Sequence, residues 1–590
     1  MLKKYSRPSL LLMTSSFLVL AIAMLAGSQW LESNKIEPSS GGTLSLSSEP
    51  VKPVNDQYLN ELKSPLPSTR VEMGKGTAQS HAPQRNLVGL FNMSGQQAGG
   101  MSRKARISST DHMPAPPPTM LDRERFPDME QNPLKQSLED PVSTFSIDVD
   151  TASYSFVRSN LNAGRLPMPD AVRIEEMVNY FSYDYERPVS LERPFSSNIS
   201  VMQTPWNKAT RLLHIGIQGY KPDLASLPPQ NLVFLIDTSG SMRAPNKLPL
   251  LQQSFRLLLS SLRPEDEVAI VTYAGSAGVL LEPTKVADKD LILSKLNQLG
   301  AGGSTAGQAG LKQAYAVASQ MSGQGEEARV ILATDGDFNV GLSDPESLKR
   351  YVSDQRKSGT ALSVLGFGRG NYNDALMQTL AQNGNGVAAY IDTLSEARKV
   401  LVDQMVSSLV SIAQDVKIQV EFNPSKIAEY RLVGYETRAL KNEDFNNDRV
   451  DAGDIGAGHT VTAIYEITPV GSPAVKLDER RYGANSPKKV SSDRSDELAF
   501  VKIRYKKPGQ SHSNLISTPV LEEEQAINRT ETRFAAAVAA FGQYLKGSKY
   551  LEDFSLTEIE NLARANRGTD DFGYRAEFLN LVRQARIARR

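Results

Sequence analysis

The sequence predicts an α/β protein. A central, mostly parallel sheet carries helices on both faces; a small α+β segment precedes it, and a β-rich and then helical region follows. Three observations lead there. From Asn231 onward, short and nearly continuous apolar runs alternate with amphipathic stretches, the pattern of parallel strands covered on both faces. Ahead of that block, Phe145-Ser146-Ile147-Asp148-Val149-Asp150 alternates like a strand and runs into a helical stretch. After Ala413, strand-like runs follow one another until the chain finishes in helices. A length of 590 residues leaves room for about three to five domains.

Composition removes several chemistries. The 66 Lys and Arg balance 66 Asp and Glu, so there is no basic footprint for nucleic acid. The absence of Cys excludes disulfides, thiolate zinc sites and thiol nucleophiles. Five scattered His contain no HExxH. A metal, if bound, must be held by oxygens.

In chain order, residues 1–27 read as a signal sequence or N-terminal anchor. Lys3, Lys4 and Arg7 precede an apolar stretch from Leu10 to Gly27, which orients the remainder away from the cytoplasm. The stretch ends in Leu25-Ala26-Gly27-Ser28, like a lipobox with Ser28 in place of Cys, so no thiol is present there to carry a lipid. Cleavage after Ala21-Ile22-Ala23 and an uncut membrane anchor both remain open. Residues 28–125, rich in Ser, Pro, Gly, Gln and Asn, predict a disordered low-complexity tether, which as a coil spans on the order of 50 Å. The expected location is the periplasm or cell envelope.

Residues 126–225 form the flanking α+β segment. Asp150 is expected to cap the next helix, a second helix spans Asp170–Tyr180, and strands cover Asn198–Gln203 and Leu212–Gln218. Residues 226–408 form the Rossmann-like domain. Its strands are Leu232–Ile236, Val268–Tyr273, Val330–Ala333, Leu362–Phe367 and Val387–Ile391. Its helices include Leu248–Leu262, Ala306–Met321, Pro345–Lys357 and Ala375–Ala381. Residues 409–590 supply strands at Val416–Phe422, Tyr430–Tyr435, Thr460–Thr468 and Leu498–Tyr505, then helices over Arg533–Lys546, Leu556–Ala565 and Ala576–Arg590. Two strands alone are marginal, so the runs on either side of the Rossmann-like domain should pair into one sandwich that carries it as an insertion.

The chemistry concentrates in three loops. Leu232–Ile236 runs into Asp237-Thr238-Ser239-Gly240-Ser241, at the carboxyl edge of a parallel strand, where ligands bind in open α/β sheets. Gly240 is expected to turn the backbone sharply so that both serines face Asp237. Gly302-Gly303-Ser304-Thr305 and Thr334-Asp335-Gly336-Asp337 reach the same edge. Together they offer two carboxylates and three hydroxyls, a hard oxygen set suited to Mg²⁺ or Mn²⁺. Neutral hydroxyls leave the ion with positive charge, and its water positions can pass to an incoming carboxylate.

Asp237-x-Ser239-x-Ser241, Gly302-Gly303-x-Thr305 and Thr334-Asp335-Gly336 resemble the metal-ion-dependent adhesion site (MIDAS) of von Willebrand factor type A (VWA) domains. The resemblance implies a VWA fold for 226–408 and Asp237, Ser239, Ser241, Thr305 and Asp335 as ligands, some through water. Ser304 competes with Thr305 for the second loop, and Asp337 with Asp335 for the third. The chain is similar more specifically to the bacterial YfbK-like family, over about 120–590. The likeness rests on the segment Phe145–Tyr154 and on Asp444–His459.

The implied function is divalent-metal-dependent protein binding, with the ion accepting a Glu or Asp of a partner and no catalysis. Glu is favoured because its longer stem reaches into a loop-rimmed site. A scaffold in which the metal only rigidifies the VWA domain is the alternative. Metal-assisted hydrolysis is weakest, because no general base is nameable beyond the ligands themselves. Over 229–410 there are 16 basic and 18 acidic residues, a balance of −2, so attraction of an acidic partner falls to the cation.

Three other motifs have ordinary readings. Asp148-Val149-Asp150 is a strand end and not a phosphatase nucleophile loop. Asp444, Asn446 and Asp448 open like a calcium loop, but Arg449 and Ile455 stand where Gly and Glu belong, so a turn is expected. His214 is expected to be a packing residue.

Overall fold

The computed structural model describes residues 126, 130–223, 227–303, 307–321, 323, 328–336, 345–368, 373–404, 410–478, 496–522 and 529–588. The signal or anchor and the whole tether lie outside the described residues, as do Ser304, Thr305 and Asp337. No helix among the described residues is long and apolar enough to cross a membrane.

Short strands β1 (Lys135–Gln136) and β2 (Val142–Ser146) lead into helices α1 (Ala152–Asn162) and α2 (Ile174–Asn179), then strands β3 (Phe195–Gln203) and β4 (Arg211–Gly219). The Rossmann-like domain follows. Its strands are β5 (Asn231–Asp237), β6 (Glu267–Tyr273), β7 (Ala277–Lys285), β8 (Ala328–Thr334), β9 (Thr360–Phe367) and β10 (Ala388–Ile391). Its helices are α3 (Leu248–Ser261), α4 (Lys289–Asn297), α5 (Gly307–Met321), α6 (Pro345–Lys357), α7 (Asp374–Asn383) and α8 (Leu394–Arg398), which continues as a π-turn over Lys399–Asp403. The chain then adds β11 (Ser411–Phe422), β12 (Ile427–Val433), β13 (Ala439–Leu440), β14 (Gly453–Gly456), β15 (Thr460–Pro469), β16 (Glu497–Lys506) and β17 (Ser513–Leu521). It finishes with α9 (Arg529–Lys546), α10 (Leu556–Ala565) and α11 (Tyr574–Ile587).

The sheet of the inserted domain runs β10-β9-β8-β5-β6-β7, parallel except for the antiparallel edge pair β6–β7. Strand β5 is buried along its whole length. One face packs Leu232, Phe234 and Ile236 against Leu251 and Phe255 of α3; the other packs Val233 and Leu235 against Leu311 and Ala314 of α5. Alternate residues of one strand thus feed two apolar cores, which is why the run reads as continuously apolar.

The flanking strands form a sandwich, as expected from their need for partners. One sheet runs β1-β12-β15-β4-β3 and the other β13-β2-β11-β16-β17, with β14 added on β11. Strand β4, before the inserted domain, pairs along its length with β15, after it. The domain leaves between β4 and β11, one strand from each sheet. Ile215, Ile217, Val461 and Tyr465 of one sheet meet Phe145, Ile418, Val420 and Val501 of the other. On the outer face of the five-stranded sheet, α2, α9, α10 and α11 bury a helical core around Met177, Phe534, Phe541 and Phe578.

Several expectations need correction. The helix expected over Asp170–Tyr180 is split into a 3₁₀ turn at Pro169–Ala171 and α2. Arg173 between them is extended, and its guanidinium reaches Asp374 of α7 at 2.6 Å and Glu176 of α2. Asp150 does not cap α1: Thr151 holds that position without a side-chain bond, and Asp150 instead accepts from the Ala388 amide at 3.0 Å and from Arg438 at 3.1 Å. The edge strands β7 and β17 and helix α4 were not expected.

The calcium-like segment is a 3₁₀ turn over Asn442–Asn446 between β13 and β14. Its carbonyls at Asp444 and Asn447 accept from the Lys417 ammonium, so the loop wraps a side-chain cation. His214 is a buried strand residue whose Nε2 lies 3.0 Å from the Tyr185 hydroxyl, and burial pushes its imidazole down to about 4. It is neutral and structural at pH 7.

Candidate metal centre

The order of the six strands reverses at β5, whose neighbours β6 and β8 connect in opposite directions along the sheet. Crevices outside the carboxyl ends of strands at such a switch point are where open α/β sheets bind ligands. Asp237 ends β5 there, and Thr334-Asp335-Gly336 leaves β8 beside it.

Asp237 is fully buried. Its Oδ1 accepts from the Ser239 amide at 2.8 Å, which folds the loop back on the carboxylate. Among the described residues, its Oδ2 receives two long contacts, 3.3 Å from the Tyr273 hydroxyl and 3.4 Å from the Thr334 hydroxyl. Burial pushes the Asp237 carboxyl above its ordinary value, and the charge of Asp335 adds to the rise. Ser239 and Ser241 meet Oγ to Oγ at 2.9 Å. The structure therefore brings Asp237, Ser239, Ser241 and Asp335 to one edge of the sheet.

The second loop is tied to the first by backbone. The Gly302 amide donates to Thr238 O at 2.8 Å, and the Gly240 amide to Gly303 O at 3.1 Å. Thr305 lies outside the described residues, but both flanks of its loop are fixed: Gly303 against the first loop, and Gly307 at the start of α5. The sharp turn expected of Gly240 falls elsewhere. Gly240 opens a 3₁₀ turn, and a Cβ on it would meet nothing nearer than Gly303 O at 3.7 Å. Gly303 adopts φ +87°, and a Cβ on it would press on the Gly275 amide at 3.3 Å, so the glycine requirement sits in the second loop.

The donor set fits a hard divalent cation. Two buried carboxylates repel one another, one has a weakly satisfied oxygen, and two hydroxyls stand together at the loop. Among the described residues no three His, Asp or Glu side chains group to hold an ion, so this set would depend on hydroxyls and water for the balance of its ligands.

One participant was not foreseen. The Lys247 ammonium donates to Asp335 Oδ2 at 2.7 Å, with both side chains buried. In the sequence it reads as a surface charge in Asn246-Lys247-Leu248. The signal was its place at the start of α3, where a helix dipole disfavours a cation.

Known families match three stretches of the chain. Residues 232–337, spanning all three loops, match the von Willebrand factor type A domain. Residues 120–214 match a family described as von Willebrand factor, and residues 407–587 match "Uncharacterized protein YfbK, C-terminal". "Uncharacterized protein YfbK" of Escherichia coli (strain K12) is 45% identical over 513 residues, covering 86% of this chain and 87% of that protein. The chain belongs to the YfbK family.

Two further likenesses each cover part of the chain. Human inter-alpha-trypsin inhibitor heavy chain H4 is 27% identical over 193 residues, 31% of this chain and 20% of that protein. A solved structure titled von Willebrand factor type A from Catenulispora acidiphila has 17% identity and a TM-score of 0.35, covering 66% of this chain and 89% of its own. VWA domains commonly mediate protein–protein interactions, and this YfbK-family chain carries one between the two halves of its sandwich.

Proposed function

We propose that this VWA domain captures an acidic side chain of a protein partner through Mg²⁺ or Mn²⁺, in an exported protein tethered at the cell envelope. The observation that carries the reading is the convergence of Asp237, Ser239, Ser241 and Asp335 at the switch point, with one Asp237 oxygen weakly held. Thr305 would complete the ligands from the second loop.

A cation held largely by neutral hydroxyls keeps net positive charge and favours an incoming carboxylate over water. The exposed Arg243, on the same turn as Ser241, adds a second positive element for the same partner. The site's own residues have no catalytic work in this reading: they position an ion and leave one face to the partner. The tether sequence of residues 28–125, behind an export signal at 1–27, would let the domain reach partners away from a membrane.

A scaffold that needs no ion, unlike the metal-rigidified one expected from the sequence, is favoured by one observation, the Lys247–Asp335 ion pair, which ties α3 to the β8 loop. Calorimetric titration of Mg²⁺ into the full chain separates the two readings. Capture predicts saturable binding that Asp237→Asn abolishes. Absence of heat at millimolar Mg²⁺ and Mn²⁺, both in wild type and in a variant without the Lys247 charge, would leave the scaffold.

A further inference from the structure

Lys247 is the feature of the site that ion capture does not use. Three observations set its ammonium apart. It occupies the N-cap position of α3, which is unfavourable for a cation. Its side chain is only 8% exposed, against a fully buried Asp335 carboxylate. Its stem also crosses Gly368, just after β9, where φ is +76° and an added Cβ would stand 2.6 Å from Lys247 Cε.

A glycine against the stem, a buried side chain and a carboxylate at 2.7 Å make a built position for one positive charge. Burying a lysine there is costly unless it is paired, and the pairing partner is a predicted metal ligand. A cation already on Asp335 offsets part of the negative charge that a divalent ion would need, and it repels that ion at short range.

Resting on the metal reading above, we propose that Lys247 is a built-in counter-cation that holds down the affinity of the site for a bare divalent ion, so that firm loading requires the partner's carboxylate. Among the described residues, the Asp237 and Asp335 side chains and Lys247 sum to one net negative charge, too little for a tight ion. A carboxylate from the partner restores a second. Ion and partner would then bind with positive coupling, each improving the site for the other.

The test uses the full chain and Mn²⁺ alone as probe, with free Mn²⁺ followed by electron paramagnetic resonance. Wild type is compared with Lys247→Met, Lys247→Gln, Lys247→Arg and Asp237→Asn. Melting curves without divalent ions establish that each variant is folded. Both neutral variants should bind Mn²⁺ roughly ten-fold or more tightly than wild type, and Lys247→Arg should stay near wild type. Binding detectable only in the neutral variants would be the extreme form of the same result. Unchanged or weaker binding in both neutral variants would overturn the counter-cation role while leaving the metal site standing. If wild type and the neutral variants all lack Mn²⁺ binding that depends on Asp237, the metal reading falls and this inference with it.

Discussion

Asp237→Asn is expected to abolish stabilisation by divalent ions while leaving the protein at least as stable as wild type in EDTA. The asparagine keeps the oxygen that accepts from the Ser239 amide, and its amide group can donate to the Tyr273 and Thr334 hydroxyls now 3.3 and 3.4 Å from Oδ2. What disappears is a buried charge that Asp335 repels. A residue kept for structure would instead cost stability when its charge is removed.

With Mg²⁺ at a hundred times its Kd, wild type should gain about 2.7 kcal/mol, and the variant nothing. Thermal melts with Mg²⁺ and with EDTA read both quantities. A variant that melts well below wild type in EDTA would show that Asp237 serves the fold, not an ion. Asp237→Ala is less informative, because it strands the Ser239 amide and two hydroxyls without their acceptor.

Arg158→Met is expected to destabilise the protein by about 3–5 kcal/mol, the range for breaking a buried ion pair by removing one partner. Arg158 lies in α1 and is almost fully buried. Its guanidinium reaches Asp392 just after β10, Glu396 of α8 at 2.8 Å, Glu577 of α11 at 3.2 Å and the Tyr180 hydroxyl at 3.0 Å. One side chain therefore joins the inserted domain to the N-terminal and C-terminal helices. Methionine fills much of its volume but leaves Asp392 and Glu396 as buried charges without that cation.

Burial already pushes the Asp392 carboxyl above its ordinary value against the pull of Arg158. Without Arg158 it should rise further, so the folded variant binds protons that its unfolded chain does not. The deficit should then shrink as pH falls, because protonation removes the uncompensated charge. Hydrogen exchange should show early opening at α8 and α11 and little change at β5 and β8. A variant with wild-type melting temperature and exchange would contradict the role of Arg158 as the junction between these parts.

The inner strands of the inserted domain were legible because they are buried on both faces, and β5, β8 and β9 therefore carry mostly apolar residues. Edges were harder. Strand β7 is half-exposed, contains Pro283 and pairs with β6 through two register shifts, so neither a continuous run nor strict alternation marks it. Strand β17 is an exposed edge with Pro519, and although its partner β16 was read from the sequence, β17 itself emerges only from their pairing. The break before α2 at Arg173 was invisible because its cause, Asp374, is 201 residues away.

The site divides in the same way. Asp237, Ser239, Ser241 and Asp335 were legible because strand ends and loop spacing are local signals. Lys247 was not, since its meaning comes from Asp335, 88 residues later, and from the missing side chain at Gly368. Tyr273 was read only as a strand terminus, yet its hydroxyl reaches across to Asp237 from the neighbouring strand. Long-range ion pairs and cross-strand hydroxyls leave little trace in a single sequence.

Capture of partner proteins from an envelope extract on the immobilised full chain tests the central claim most directly. The comparison is wild type with Mg²⁺, wild type with EDTA, and Asp237→Asn with Mg²⁺. Metal-dependent recognition predicts proteins retained in the first condition and lost in the other two. The same proteins retained in all three would contradict it.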